Sequence, residues 1–177
     1  MKRFVFTLAL IIAMGVNAVA GELEPPGPPN STMKTLNEIP PTWSQKLPAA
    51  ERFVLVLDGA AVLDKETGLV WEQSPGTNTY SWLSSQIHCI DNTVANRKGW
   101  RLPSIEELSS LIDSTQSALA LPSDHPFNNV QSSYYWSSTT HATNTDAAWV
   151  VYLNYGNANN LDKSSHYYVW CVRGGPN

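Results

Sequence analysis

Asn144, Asp146, Asn154, Asn157, Asn159, Asn160 and Asp162 crowd carboxamides and carboxylates into residues 144–162, with Trp136 and Tyr155 close by in the chain. Oxygen ligands of this type are what calcium takes, and Asp146, Asn159 and Asp162 are the metal candidates. Amides beside an aromatic ring also suit a sugar, so Trp136, Asn144, Asp146, Asn154, Tyr155, Asn157, Asn159 and Asn160 form the candidate ligand-binding set. The plain alternative is that Asn and Asp simply favour turns, and the chain lacks the Glu-Pro-Asn, Gln-Pro-Asp and Trp-Asn-Asp patterns of calcium-dependent lectins. No resident metal or cofactor is therefore expected.

Nucleophilic and acid–base chemistry finds little to stand on. The chain has no Gly-x-Ser-x-Gly elbow, no His-Glu-x-x-His and no phosphate-cradling glycine loop. Glu106 and Glu107 could be pictured as an acid and a base, but helix capping and the helix dipole account for both. Arg101 and Arg173 suit carboxylate pairing or carbonyl capping. The expectation is a protein that is not an enzyme.

The elements that must position these residues begin from a rigid point, Gly99-Trp100-Arg101-Leu102-Pro103-Ser104. Pro103 fixes its own φ and drives Leu102 into an extended conformation. Ser104 can cap a helix and Glu107, three residues on, can close a capping box. Ile105, Leu108, Leu111 and Ile112 then share one face, predicting a helix over residues 105–113. An earlier helix is predicted over residues 81–95, with Leu83, Ile87, Ile90 and Val94 as its core-facing stripe. Cys89 lies about a third of a turn off that stripe, beside Trp82, Gln86 and Thr93.

Residues 53–57 form an apolar run that reads as a buried strand, and residues 61–64 and 69–72 flank a Gly68 turn as a hairpin. Residues 114–133 read as a long loop, plugged by Phe127. Strands are expected over residues 134–138, 147–153 and 167–173, with turn chemistry at residues 154–160.

Length bounds one domain with extensions: 177 residues in all. Residues 1–20 read as a signal peptide, with Lys2 and Arg3, an apolar run to Val16 and Ala18-Val19-Ala20 as cleavage site. Residues 21–50 read as a Pro-rich linker, with Trp43 either pinning it onto the domain or standing exposed as a ligand-like residue, and residues 51–177 as the domain. Net charge is −4 without any Lys/Arg block, which argues against nucleic acid or anionic membrane as partner. Charged residues are 15% against about 25% in an average soluble protein, so amides and hydroxyls carry the polar surface. Export gives Cys89 and Cys171 an oxidising compartment, where one disulfide is the simplest outcome; two free thiols are the alternative, and His88, His125, His141 and His166 show no metal-ligand spacing with them.

Gly68-Leu69-Val70-Trp71, Trp82, Cys89, Gly99-Trp100-Arg101-Leu102-Pro103, Glu107-Leu108, Tyr135-Trp136-Ser137-Ser138-Thr139, Ala148-Trp149 and Cys171-Val172-Arg173 occur in an order that resembles the Lcl C-terminal domain family, named for the head of a bacterial collagen-like adhesin. The resemblance covers about residues 54–174. It implies an α+β, C-type-lectin-like fold: two helices packed beside a twisted antiparallel sheet, long loops, and one disulfide from the first helix to the last strand, matching Cys89 and Cys171. The adhesin is implicated in binding sulfated polysaccharide and in host attachment, whereas most relatives have no assigned activity. This chain departs in having no collagen repeat and no basic surface for a sulfated glycan. A distant similarity to formylglycine-generating enzymes surrounds Arg101-Leu102-Pro103, but that class needs a redox-active cysteine pair near the C-terminal end, where only Cys171 stands.

The expectation that follows is an exported module, periplasmic or secreted, that meets a glycan or a cell-surface protein and does not enter the membrane after cleavage. Its alternatives are a degenerate formylglycine-generating-type enzyme and a purely structural envelope domain.

Overall fold

Val70, Trp71 and Glu72 hold the centre of the first sheet because their neighbours on both sides are equally rich in β-formers. The computed structural model describes residues 47–174. The signal peptide, Trp43 and nearly all of the Pro-rich stretch lie outside that range. Within it the element order is α1 (Ala49–Arg52), β1 (Phe53–Val56), β2 (Ala61–Asp64), β3 (Val70–Glu72), α2 (Trp82–Asp91), α3 (Ile105–Ser109), β4 (Tyr134–Thr140), β5 (Ala147–Tyr152), β6 (Asn157–Asp162) and β7 (Val172–Arg173). Two antiparallel sheets result, ordered β1-β2-β3-β7 and β4-β5-β6. The architecture is α+β with one disulfide, Cys89–Cys171.

The Arg101-Leu102-Pro103 segment stitches the sheets together. The Arg101 N–H donates to Val172 O at 2.8 Å on the first sheet, and Pro103 O accepts from Ser138 N at 2.7 Å on the second. The expected capping box follows at once: Glu107 N donates to Ser104 Oγ and Ser104 N to Glu107 Oε2. Both guanidinium ends of Arg101 pair with the Glu107 carboxylate at 2.6 Å, and one also reaches Gly174 O. That pairing, with the Ser104 N–H, overcomes burial and holds the Glu107 carboxyl below its ordinary range. Leu108 and Leu111 are fully buried on the predicted face.

The second sheet separates two apolar clusters. Tyr135, Val151 and Leu153 join Trp71, Trp170, Phe127, Leu108 and Leu111. Trp136 and Val150, one residue out of phase, join Trp100, Val169 and the disulfide. The alternation of β4 and β5 is therefore apolar on both faces, as a covered sheet requires.

Five expectations are corrected. Helix α2 ends at Asp91, and its stripe faces solvent: Leu83, Ile87 and Ile90 are 64%, 52% and 62% exposed. The buried side is Ser85 and Cys89, whose small side chains let the helix sit close enough for the disulfide to pin it. Val94 falls in a separate 3-10 turn, Val94–Asn96. Helix α3 stops at Ser109, short of residue 113. The last strand shrinks to Val172–Arg173, because the chain is crossing between sheets: Tyr168 bridges Tyr135 while Val172 bridges Arg101 and pairs with Trp71. Finally, residues 157–160 are not turn but most of β6, in full register with β5. An Asn-rich strand forms there because β5 supplies the ladder, and propensity yields to it. The short helix α1 precedes β1 where only linker was expected.

Candidate binding face

Strand β5 decides which of the polar candidates can work together. Asn144 and Asp146 lie in the turn before it, Asn154 and Tyr155 in the turn after it. Six strand residues separate these turns by about 17 Å, so the structure breaks the candidate set in two.

At the first end the polar groups are occupied with holding the turn. Asn144 Oδ1 accepts from Asp146 N, Asp146 O accepts from Lys163 N, and Asp162 Oδ1 accepts from Ser164 N. The Lys163 ammonium reaches Thr140 Oγ1 and Thr145 O and lies 4.0 Å over the Trp82 ring. Hydrogen bonds from Ser164 hold the exposed Asp162 carboxyl below its usual value. Asp146 and Asp162 share this end, but Asn159 sits three residues further along β6, opposite Val150, about 10 Å away. The three calcium candidates are thus not gathered. Among the described residues no three His, Cys, Asp or Glu side chains converge to hold a metal. Asn160, opposite Trp149, is exposed mid-strand on β6.

The second end is different. Tyr155 is 62% exposed, and its ring meets Tyr152 edge to face at 5.7 Å. Tyr152 stacks on Tyr134 at 4.4 Å, and Tyr134 touches Tyr167 at 5.4 Å. Asn154 Nδ2 donates to Tyr152 Oη, and the exposed Asn157 pairs across the strand with Tyr152. The result is a row of tyrosines ending in one open ring, flanked by two amides. Gly156, at φ +77°, completes the turn against Ile112 and Ala120, with no room for a Cβ. Trp136 does not belong to this row's surface: it is fully buried and its indole N–H is spent on Tyr80 O.

Tyr134, Tyr152 and Tyr167 were not singled out from the sequence as ligand candidates. The signal was present in β5, where strict alternation ends on Tyr152 two residues before Asn154-Tyr155, but only cross-strand register brings Tyr134 beside it.

A polar cleft of about 480 Å³ runs beside the C-terminal end of α2, lined by Glu72, Ser74, His88, Asp91 and Asn92. The Glu72 carboxylate is already satisfied by Cys171 N and the Asn92 amide. Burial nevertheless outweighs both bonds and raises its pKa. The folded chain therefore holds this proton more tightly than the unfolded chain. Its stabilising contribution is complete below the ordinary value of about 4.3 and is lost as pH rises through the raised one. We expect the unfolding midpoint of the native protein to fall over the interval in which pH rises from about 4.3 through the raised value, by an increment that Glu72→Gln removes. Thermal melts across that interval, compared by slope, check it; parallel curves for the two proteins would refute it.

Cys89 and Cys171 are bonded to each other, with Cα atoms 5.4 Å apart.

Residues 60–173, well over half of the chain, match the family model described as the Lcl C-terminal domain. No curated protein matches the chain.

Proposed function

This chain belongs to the Lcl C-terminal domain family, and from that premise we propose that it is an exported, non-catalytic binding module that recognises a glycan or a protein at the cell surface or in the envelope. The observation that carries the reading is the Tyr155 ring, held open at the end of a supported tyrosine row between Asn154 and Asn157. A large aromatic surface that folding leaves outside, on a turn fixed by a glycine with no spare room, is preorganised for contact.

Export is supported by the disulfide, which persists in oxidising compartments. No helix among the described residues is long and apolar enough to cross a membrane. The relation to C-type-lectin-like heads rests on the family and on the α+β arrangement, in which the last strand is tied to the first long helix.

The purified exported protein is tested on a glycan array and against intact envelope fractions, with and without a chelator. We expect retention that Tyr155→Ala weakens about tenfold, the scale of one lost aromatic contact, without moving the melting temperature. Silence from the folded protein on both surfaces would favour the purely structural role.

A further inference from the structure

No Lys or Arg occurs between Arg101 and Lys163. That interval holds the long loop and all of β4, β5 and β6, and therefore every wall of the tyrosine row that those elements provide. Four cations of the described residues have partners elsewhere. Arg52 is buried on Asp64, Arg101 is paired with Glu107, and Arg173 lies over Trp100. Lys163 is fastened to the turn at the far end of the second sheet. A backbone path links the β5–β6 turn to a loop that carries an anion. Asp113 N bonds Ala120 O, and Ala120 N bonds Leu153 O, so the Asp113 loop is hydrogen-bonded onto the start of that turn. Thr115 holds the Asp113 carboxyl below its ordinary range.

Resting on the binding role above, we propose that the Tyr155 face takes an uncharged sugar chain and rejects sulfated or uronic-acid ones. The groups on offer have the matching chemistry. Tyr155 presents a ring face to the C–H face of a pyranose. Because Tyr152 and Tyr134 stack on each other at 4.4 Å, they offer edges and hydroxyls to the surface rather than ring faces. The Asn157 carboxamide carries a donor and an acceptor side by side, which suits a pair of neighbouring hydroxyls. The Tyr152 hydroxyl, already accepting from Asn154, keeps its own hydrogen to donate. A sulfate or carboxylate would find no Lys or Arg on β4, β5, β6 or the turns between them to replace its water.

The test is titration calorimetry of the full exported protein with neutral hexasaccharides (gluco-, manno- and xylo-configured) and with a heparin-derived hexasaccharide, after an array containing both kinds. We expect binding to a neutral chain that survives about 0.5 M NaCl and a chelator. Tyr155→Ala and Asn157→Ala should each weaken it about tenfold, and Tyr155→Phe should retain most of it. Binding confined to the sulfated chain, fading with salt, would overturn the uncharged class and leave the binding role standing. No saccharide bound by the folded native protein would overturn this proposal together with the glycan reading beneath it.

Discussion

Replacing Cys89 and Cys171 together by alanine should lower the unfolding free energy by about 4 kcal/mol and release α2 before anything else. The bond closes a sequence separation of 82 residues, so the reduced chain regains the entropy of a large loop, and the chain-entropy account places the loss near that figure. What makes the effect local is how little else holds this helix. Of its four large apolar side chains only Trp82 packs on the core; Leu83, Ile87 and Ile90 are more than half exposed. Ser85 Oγ bonds back to Ser81 O within its own helix. The other ties gather at its two ends: Trp82 bonds Ser137 O through Nε1 and Lys163 O through its backbone N, with its ring under the Lys163 ammonium and against the second cluster, while Tyr80 stacks on His88 and Asn92 meets Glu72. Urea titration of the oxidised and double-alanine proteins measures the loss, and hydrogen exchange over residues 82–91 locates it. A loss below about 1 kcal/mol, or exchange that rises evenly through both sheets, would show that packing and not the bond holds α2.

This helix also marks where the sequence stops being legible. A 3.6-residue period identifies α2 correctly, but period alone does not say which side of a helix meets the core. Apolar content suggests the Leu83 stripe, whereas Cys89 had to face inward to reach Cys171, and the covalent constraint prevails over the weaker hydrophobic preference. At α3 no such conflict exists. Ser104, Glu107 and the Leu108–Leu111 face act within a few residues of each other, so the capped start and the buried face are read correctly and only the end, at Ser109, falls short. Strand β6 lies at the other extreme, since Asn157 to Asp162 carry turn propensity and become a strand only because β5 presents a ladder. The binding face inherits that difficulty. Tyr155, Asn154 and Asn157 are visible as residue types, but their separation from Asn144 and Asp146, and their union with Tyr134, are consequences of register.

Register also creates the least visible stabilising contact, and with it the second large effect. Asp64 pairs with Phe53 across β1 and β2, which brings its carboxylate to the preceding residue, Arg52. The two side chains are 1% and 0% exposed. Arg52 Nε and Nη2 donate to the two Asp64 oxygens at 2.8 and 2.6 Å, and Nη2 also reaches Ser110 O, just past α3. Asp64 in turn accepts from Glu66 N and Thr67 Oγ1, fixing the hairpin turn that Gly68 completes. Asp64→Ala leaves the guanidinium buried with only Glu66 Oε2, 3.5 Å away, as a counter-charge. Stranding a buried charge costs about 3–5 kcal/mol, a large share of the 5–15 kcal/mol by which a domain is stable. Arg52→Met costs less, because the Asp64 carboxylate keeps its two turn donors. The Arg52→Met, Asp64→Leu double variant should recover part of the Asp64→Ala loss, since a well-packed apolar pair can replace a buried ion pair. Denaturant unfolding of the three variants decides the matter. If Asp64→Ala lost no more than a surface substitution, about 0.5 kcal/mol, the pair would be incidental to the junction of β1, β2 and α3.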